Sequence, residues 1–470
     1  MPASFGTNCL GSSFGLIISN WIALIPLVLY LGQPRLAPQL VGRTALAGCI
    51  PSSLFPQLGV LRGMAEWLRE GARYMDWYVT EPGRIIWNAG FKRKCQGANG
   101  AASDILTQRA VRTAEEVDIP QNLEEARAKY VRQGTERSDK GVKGNGPHRP
   151  RMLYIINCTL NTDEDQASKE SPWGRILRAG LETAILLGLV GISVIAVLFG
   201  MYGTAAALVI GAVFRVARLL IPVPRLQDYM NNNQPNMKNA HMLASDYAKA
   251  NTWYLYTGPR GIVDGLLNKS MISAASPLGR NDHGAAAATA ATALLPTLVG
   301  LQVATMMYVA AQGGWDAFGL LAVVLLAWRL DRYLYSEDRL AERWLRAEGV
   351  RMKALACRFS GRVPMIGAVQ VLKRPATRTK WMDKILVPME LRDIWLEKLR
   401  EHDLASRTPA AADDDTAAGG RPTPLPFWLT KEGQKLTDEE RNGRIWVEDN
   451  YALTCAAVDA IKAKMGRGNA

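Results

Sequence analysis

Between Thr183 and Tyr202 lie twenty successive residues without a charged side chain. A helix of that length is about 30 Å long, the thickness of a bilayer's hydrocarbon layer. This run constrains the chain most, because lipid forces every backbone polar group to be satisfied within the protein. Residues 181–202, 204–221, 287–311 and 317–330 share its character, and residues 15–31 form a slightly shorter run of the same kind. A single helix across 181–221 would be about 60 Å long, twice what a bilayer needs. The chain is therefore expected to turn near Gly200–Gly203, and again at Gly313 and Gly314. The resulting expectation is an all-α integral membrane protein: two transmembrane helical hairpins plus an N-terminal span, with a mostly helical cytosolic portion.

Charge orients this scheme. The chain carries 56 Lys and Arg against 43 Asp and Glu, a net charge of +13, while its mean hydropathy is near neutral at -0.05. Residues 1–14, 200–203 and 312–316, the ends and turns on one side of the five runs, contain no Lys or Arg. All 56 cations belong to the other side, which the excess of Lys and Arg in cytoplasmic loops assigns to the cytosol. The N-terminus is then exoplasmic and the C-terminus cytosolic. Residues 15–31 read as a retained span, since no basic residue precedes them and no small-residue cleavage site follows Leu31.

The organisation expected from these runs has eight parts. Residues 1–31 hold the N-terminal span, and 32–180 form a basic cytosolic segment containing a Gly/Pro-rich linker at 134–150. Residues 181–221 and 287–330 are the two hairpins, joined by a cytosolic loop at 222–286. Residues 331–404 form a helical segment, with the charged helix running on from the last span over 331–357 and an amphipathic helix at 389–402. Residues 405–426 read as a disordered linker, and 427–470 as a C-terminal helical segment. Residues 62–79 have an amphipathic spacing suited to a bilayer surface or to a neighbouring domain. Residues 152–158 (MLYIINC) read as a lone strand or a short buried segment.

Chemistry-bearing motifs are few. There is no phosphate-cradling G-x-x-x-x-G-K-[ST] run, no H-E-x-x-H, no G-x-S-x-G and no C-x-x-C among six cysteines and four histidines. No catalytic residue, metal ligand or cofactor site is assigned, and no cofactor is expected. His241 with Asp246, and His283 beside Asn281 and Asp282, are the nearest approach to an acid–base constellation. The block around Trp253, Tyr254, Tyr256 and Arg260 is the best local candidate for a contact surface, as an ordered turn against the membrane or a cytosolic domain. Gln302 and Glu182 are the candidate intramembrane polar groups.

The paired apolar hairpins, with the blocks at residues 249–270 and 362–399, resemble the uncharacterised multi-pass membrane proteins of filamentous fungi. That resemblance implies membrane residence and carries no active site. The expected partners are the lipid bilayer, anionic lipid headgroups and a second copy of the chain. Nucleic acid is excluded, because no recognition motif accompanies the basic charge. The leading functional expectation is a membrane anchor or scaffold for a basic cytosolic domain. A small oligomeric transporter or channel using Gln302 and Pro296, or a lipid-modifying enzyme using His241, Asp246 or His283, are the alternatives.

Overall fold

The structure is a computed structural model. It describes residues 13–31, 36–51, 83–89, 93–121, 123–130, 149–160, 172–220, 223, 239–269, 271, 284–312, 314–373, 379–405, 426 and 437–467. The chain opens with helices α1 (Ser13–Leu31) and α2 (Leu36–Ala47), then strands β1 (Ile85–Asn88) and β2 (Arg93–Gln96). Helix α3 (Gly100–Arg112), β3 (Glu115–Val117), α4 (Leu123–Tyr130) and β4 (Arg151–Leu160) follow. The first helical hairpin is α5 (Pro172–Leu198) and α6 (Tyr202–Leu219). Then come β5 (Ala240–Ser245), β6 (Thr252–Gly258) and α7 (Arg260–Leu267), and the second hairpin, α8 (Gly284–Gln312) and α9 (Trp315–Leu334). The remainder is α10 (Glu337–Ala347), β7 (Val350–Phe359), α11 (Arg362–Leu372), α12 (Glu390–Ala405) and α13 (Asp438–Arg467).

The seven strands form one mixed sheet in the order β2-β1-β5-β6-β4-β7-β3. Strands β4/β6 and β3/β7 pair in parallel, and the other neighbours are antiparallel. This sheet overturns the all-α expectation. The three segments expected to be separate, 32–180, 222–286 and 331–404, each contribute strands to it. The apolar run MLYIINC is not a lone strand, because β6 flanks it on one side and β7 on the other.

Side-chain alternation explains why these strands are buried on both faces. In β6, Trp253 and Leu255 enter one core while Tyr254 and Tyr256 enter the other. In β4, Leu153 and Ile155 go one way and Ile156 and Cys158 the other. A strand covered on both faces reads as a continuous apolar run, which hides its period of two. Helices α2, α3, α7 and α10 cover the first face, and α11, α12 and α13 the second, giving three layers.

The expected continuous helix over 331–357 is corrected at Gly349. Its φ of 65° lies in the left-handed region, so α10 stops there and the chain turns back into β7. From Val350 the residues alternate, Val350, Met352 and Ala354 facing one core and Leu355, Cys357 and Phe359 the other. The apolar patch at 364–372 lies within α11, beneath the sheet. Residues 62–79 and 281–283 lie outside the described residues, as do 134–148 of the expected linker 134–150 and 406–425 of the expected linker 405–426.

Helices do occupy the five apolar runs, and they gather into a bundle beside the sandwich. Ala23 of α1, Ala207 of α6, Met306 and Val309 of α8, and Ala317, Leu320 and Ala327 of α9 share one core. Leu189 of α5 packs with Leu208 and Ala212 of α6. Helix α6 also joins the two halves, because Ile210, Phe214 and Ala217 belong to the core under the sheet. Both hairpins leave the sandwich and return to it: β4 leads into α5 and α6 into β5, while α7 precedes α8 and α9 continues through α10 to β7.

Candidate functional site

The outer surface of the bundle is apolar, unlike that of a water-soluble domain. Among the described residues, all but four of the exposed large hydrophobic side chains lie on α1, α5, α6, α8 and α9 or at their immediate ends. The four elsewhere are Leu160, Tyr247, Val387 and Met389. On α5 the exposed set includes Leu187, Val190, Ile192, Val194, Ile195 and Leu198. Scattered exposed leucines are ordinary, but a contiguous apolar surface of this kind marks a contact with something apolar.

The bundle's core is apolar as well, and its buried charged groups gather at its two ends. At the sheet end, Glu182 accepts hydrogen bonds from Arg215 Nη1 and Arg218 Nη2, both at 2.8 Å. Arg218 also donates to the Ile50 carbonyl at 3.2 Å and to the Tyr335 hydroxyl at 3.3 Å. One cluster thereby ties α5, α6, the end of α9 and the segment after α2. A buried charge is tolerable only when paired in this way. At the turn end, Asp316 accepts from the backbone N–H of Gly203 and of Thr204, each at 2.7 Å. The Thr204 hydroxyl adds a third bond to it at 2.6 Å. Asp316 thus caps the first turn of α6 from the other hairpin, where a carboxylate satisfies orphan N–H groups and complements the helix dipole. Gly203 is required there: a Cβ would meet Val309 Cγ2 at 2.1 Å.

The intramembrane polar candidates both lie in the bundle. Glu182 sits in the arginine cluster, and Gln302 is fully buried in α8. The contact-surface candidates do not form a surface. Trp253, Tyr254 and Tyr256 are buried in β6, the central strand of the sheet, and Arg260 pairs with Asp264 at 2.8 Å. Aromatic residues clustered in sequence carry no sign of whether they face solvent, and here alternation divides them between two cores.

His241 and Asp246 do not meet as an acid–base pair. The odd and even positions of β5 face opposite cores, and Asp246 turns instead to Arg84 Nε at 3.5 Å. Burial, assisted by nearby Lys373, pushes His241 down to about 4, so its ring is neutral near pH 7.

Sequence reasoning missed Arg84. It is buried beneath the sheet, donates to Thr107 Oγ1 at 3.2 Å and Tyr256 OH at 3.3 Å, and pairs with Asp104. Its guanidinium lies 4.4 Å from the centroid of the Tyr254 ring. Burial pulls its pKa down, but Tyr256, Asp104, Tyr254 and Asp246 outweigh that and leave it raised. The cluster fastens β1, β6 and α3 together, and each of its members is committed to another.

Among the described residues no group of three or more His, Cys, Asp or Glu could hold a metal. An apolar pocket lined by Val41, Gly42, Ala45, Asn99, Ala101, Ala102 and Met271 holds about 10 Å³, room for one water at most.

Two helical stretches among the described residues are long and apolar enough to cross a membrane, Gly180–Leu198 and Tyr202–Leu219. This corrects the expected five. The apolar part of α1, Asn20–Leu29, is shorter, and α9 carries Asp316, Arg329, Asp331 and Arg332. Only 17% of the α5 stretch is buried, so it is no core helix, against 67% for α6. No protein-family model, curated protein or solved structure matches the chain.

Proposed function

We propose that this chain is an α/β domain anchored in a membrane by the α5–α6 hairpin, with α1, α8 and α9 packed around that hairpin in the same layer. The apolar outer surface of the bundle carries this reading. Each exposed Leu, Ile or Val on α5 forgoes roughly 1.5–3 kcal/mol in water that an apolar surrounding returns. The same surrounding forbids unpaired charge, and the bundle's Glu182, Arg215, Arg218 and Asp316 are paired or capped.

In this reading the chain crosses the bilayer through the α5–α6 hairpin, with the turn at Gly200 on the exoplasmic side. The sheet domain and the C-terminus lie in the cytosol, where the basic segments face an anionic leaflet. The activity proposed is that of a scaffold: the anchor holds the sandwich against the bilayer, and its basic surface engages anionic lipid or a protein bound there.

Flotation tests the anchor. The full chain, expressed with membranes and washed at alkaline pH, should rise with the vesicles in a density gradient. Recovery of a folded, freely soluble chain would overturn the proposal. Protease added to sealed right-side-out vesicles should spare α13, and its digestion would reverse the assigned orientation.

A further inference from the structure

We infer that the outer face of α9, where it emerges from the bundle towards the sheet, binds the phosphodiester headgroup of an anionic glycerolipid. The inference rests on the membrane reading above and names the partner of its rim. Leu325 and Trp328 on this face are exposed and apolar; Arg329 follows Trp328 directly, and Arg332 and Tyr333 come one turn further on, all exposed. Arg332 lies 5.7 Å from the Trp328 ring centroid, and Arg339 lies 3.8 Å from that of Tyr333 and donates to the Tyr333 carbonyl. The order along the helix is therefore hydrocarbon side chain, interfacial aromatic, then cation.

Charge segregation identifies the occupant. Every carboxylate between residues 331 and 342 is turned towards a cation of α2 or α3. Asp331 and Glu337 meet Arg43 at 3.7 and 3.4 Å, Asp338 meets Arg112 at 2.8 Å, and Glu342 meets Arg109 at 3.3 Å. Among the described residues no carboxylate lies within salt-bridge distance of Arg329, Arg332 or Arg339. The acids are thus paired with cations of α2 and α3, while the guanidinium groups of Arg329 and Arg332 stand exposed at the level where the apolar surface ends. Guanidinium forks match phosphate oxygens in geometry as well as charge. A phosphodiester whose acyl chains lie along Leu325 and Trp328 satisfies both halves of the face at once.

The test compares phosphatidylglycerol with phosphatidylcholine. The full chain is purified in mixed micelles of the two lipids, and the lipids retained are counted by native mass spectrometry. Wild type should hold phosphatidylglycerol above its bulk share, by about fivefold for each engaged arginine. Arg329→Gln with Arg332→Gln should return the ratio to bulk while the chain still floats with phosphatidylcholine vesicles. Arg351→Gln with Arg358→Gln, two exposed cations on β7, should leave the preference unchanged. Retention in the bulk ratio by wild type would overturn the site, as would an unaltered preference in the α9 variant or its equal loss in the β7 variant. Failure of wild type to float would instead remove the anchor, and the site with it.

Discussion

Around the sheet, cations such as Arg351, Lys353 and Arg358 stand at the surface while Trp253 and Leu255 are sealed inside. Around the first hairpin the order reverses, with Leu198 81% exposed outside and Arg215 only 2% exposed within. Both halves satisfy the same rule, that side chains are sorted by what surrounds them. In the membrane reading proposed above the two halves face two solvents, and α6 is the element that joins them, since its Ala207 belongs to the bundle core and its Phe214 to the core under the sheet.

The strongest way to break this comparison is to put charge on the outer face of the hairpin. Leu187→Arg with Val190→Arg adds two cations to exposed positions near the middle of the Gly180–Leu198 stretch of α5. In water such changes are almost neutral, within about 0.5 kcal/mol. At mid-bilayer each costs about 3 kcal/mol, so the pair should abolish alkali-resistant membrane association. The converse change on the sheet, Arg351→Leu, should leave both stability and association as they were. A double arginine variant that still resists alkaline extraction would show that α5 does not face lipid.

A change confined to the sandwich should have the next largest effect. Arg84→Met removes the cation beside Asp104 and the donor to Tyr256 and Thr107; Asp104 keeps contact with water, so the loss should be about 2–3 kcal/mol, that of hydrogen bonds to a charged group. Urea titration followed by the sheet's circular dichroism should show that loss, while flotation remains intact. Coupled loss of both signals would mean that the two halves fold as a single unit.

What the sequence disclosed follows from the range of each signal. The hairpins were legible because their information is local: an uncharged run long enough to span, then Gly200 or Gly314, whose φ of 73° and 72° admits the turn. The sheet was hidden because its information is distant. Strand β4 pairs with residues about a hundred positions away in β6 and two hundred in β7, and two-sided burial erased its alternation. Strands β1 and β2 are four residues each, too short for periodicity to register. At the candidate site, Glu182 stood out as the one acid opening an apolar run, whereas Arg84 was one cation among 56 and nothing around it signalled burial.

The clasp at the hairpin turns allows the bundle to be disturbed without touching the sandwich. Asp316→Ala removes the acceptor of two backbone N–H groups and one hydroxyl, a cap loss of about 2 kcal/mol at the upper end of the usual range. The second hairpin should then separate from the first more readily, seen as faster proteolysis near residue 313 with the sheet still protected. Asp316→Asn keeps one carbonyl acceptor and should fall between the two. If neither variant alters cleavage, the hairpins are held by packing alone.

The smallest effect belongs to the sandwich and reads out through pH. His241 is neutral in the folded chain because burial, with Lys373 nearby, holds it down at about 4 rather than 6.5. Its ionisation is depressed in the folded state, so the unfolded chain binds the extra proton first as pH falls. Its contribution is complete above about pH 6.5, declines between there and about pH 4, and declines no further below. The ring keeps some contact with water, so the loss should be on the order of 1 kcal/mol rather than the full linkage value. His241→Gln, which cannot take up a proton, should flatten that part of the profile of urea midpoint against pH. The double arginine variant of α5 should keep the slope, because the bundle has no part in it. An identical slope in wild type and His241→Gln would assign the acid sensitivity to other groups in the sheet domain.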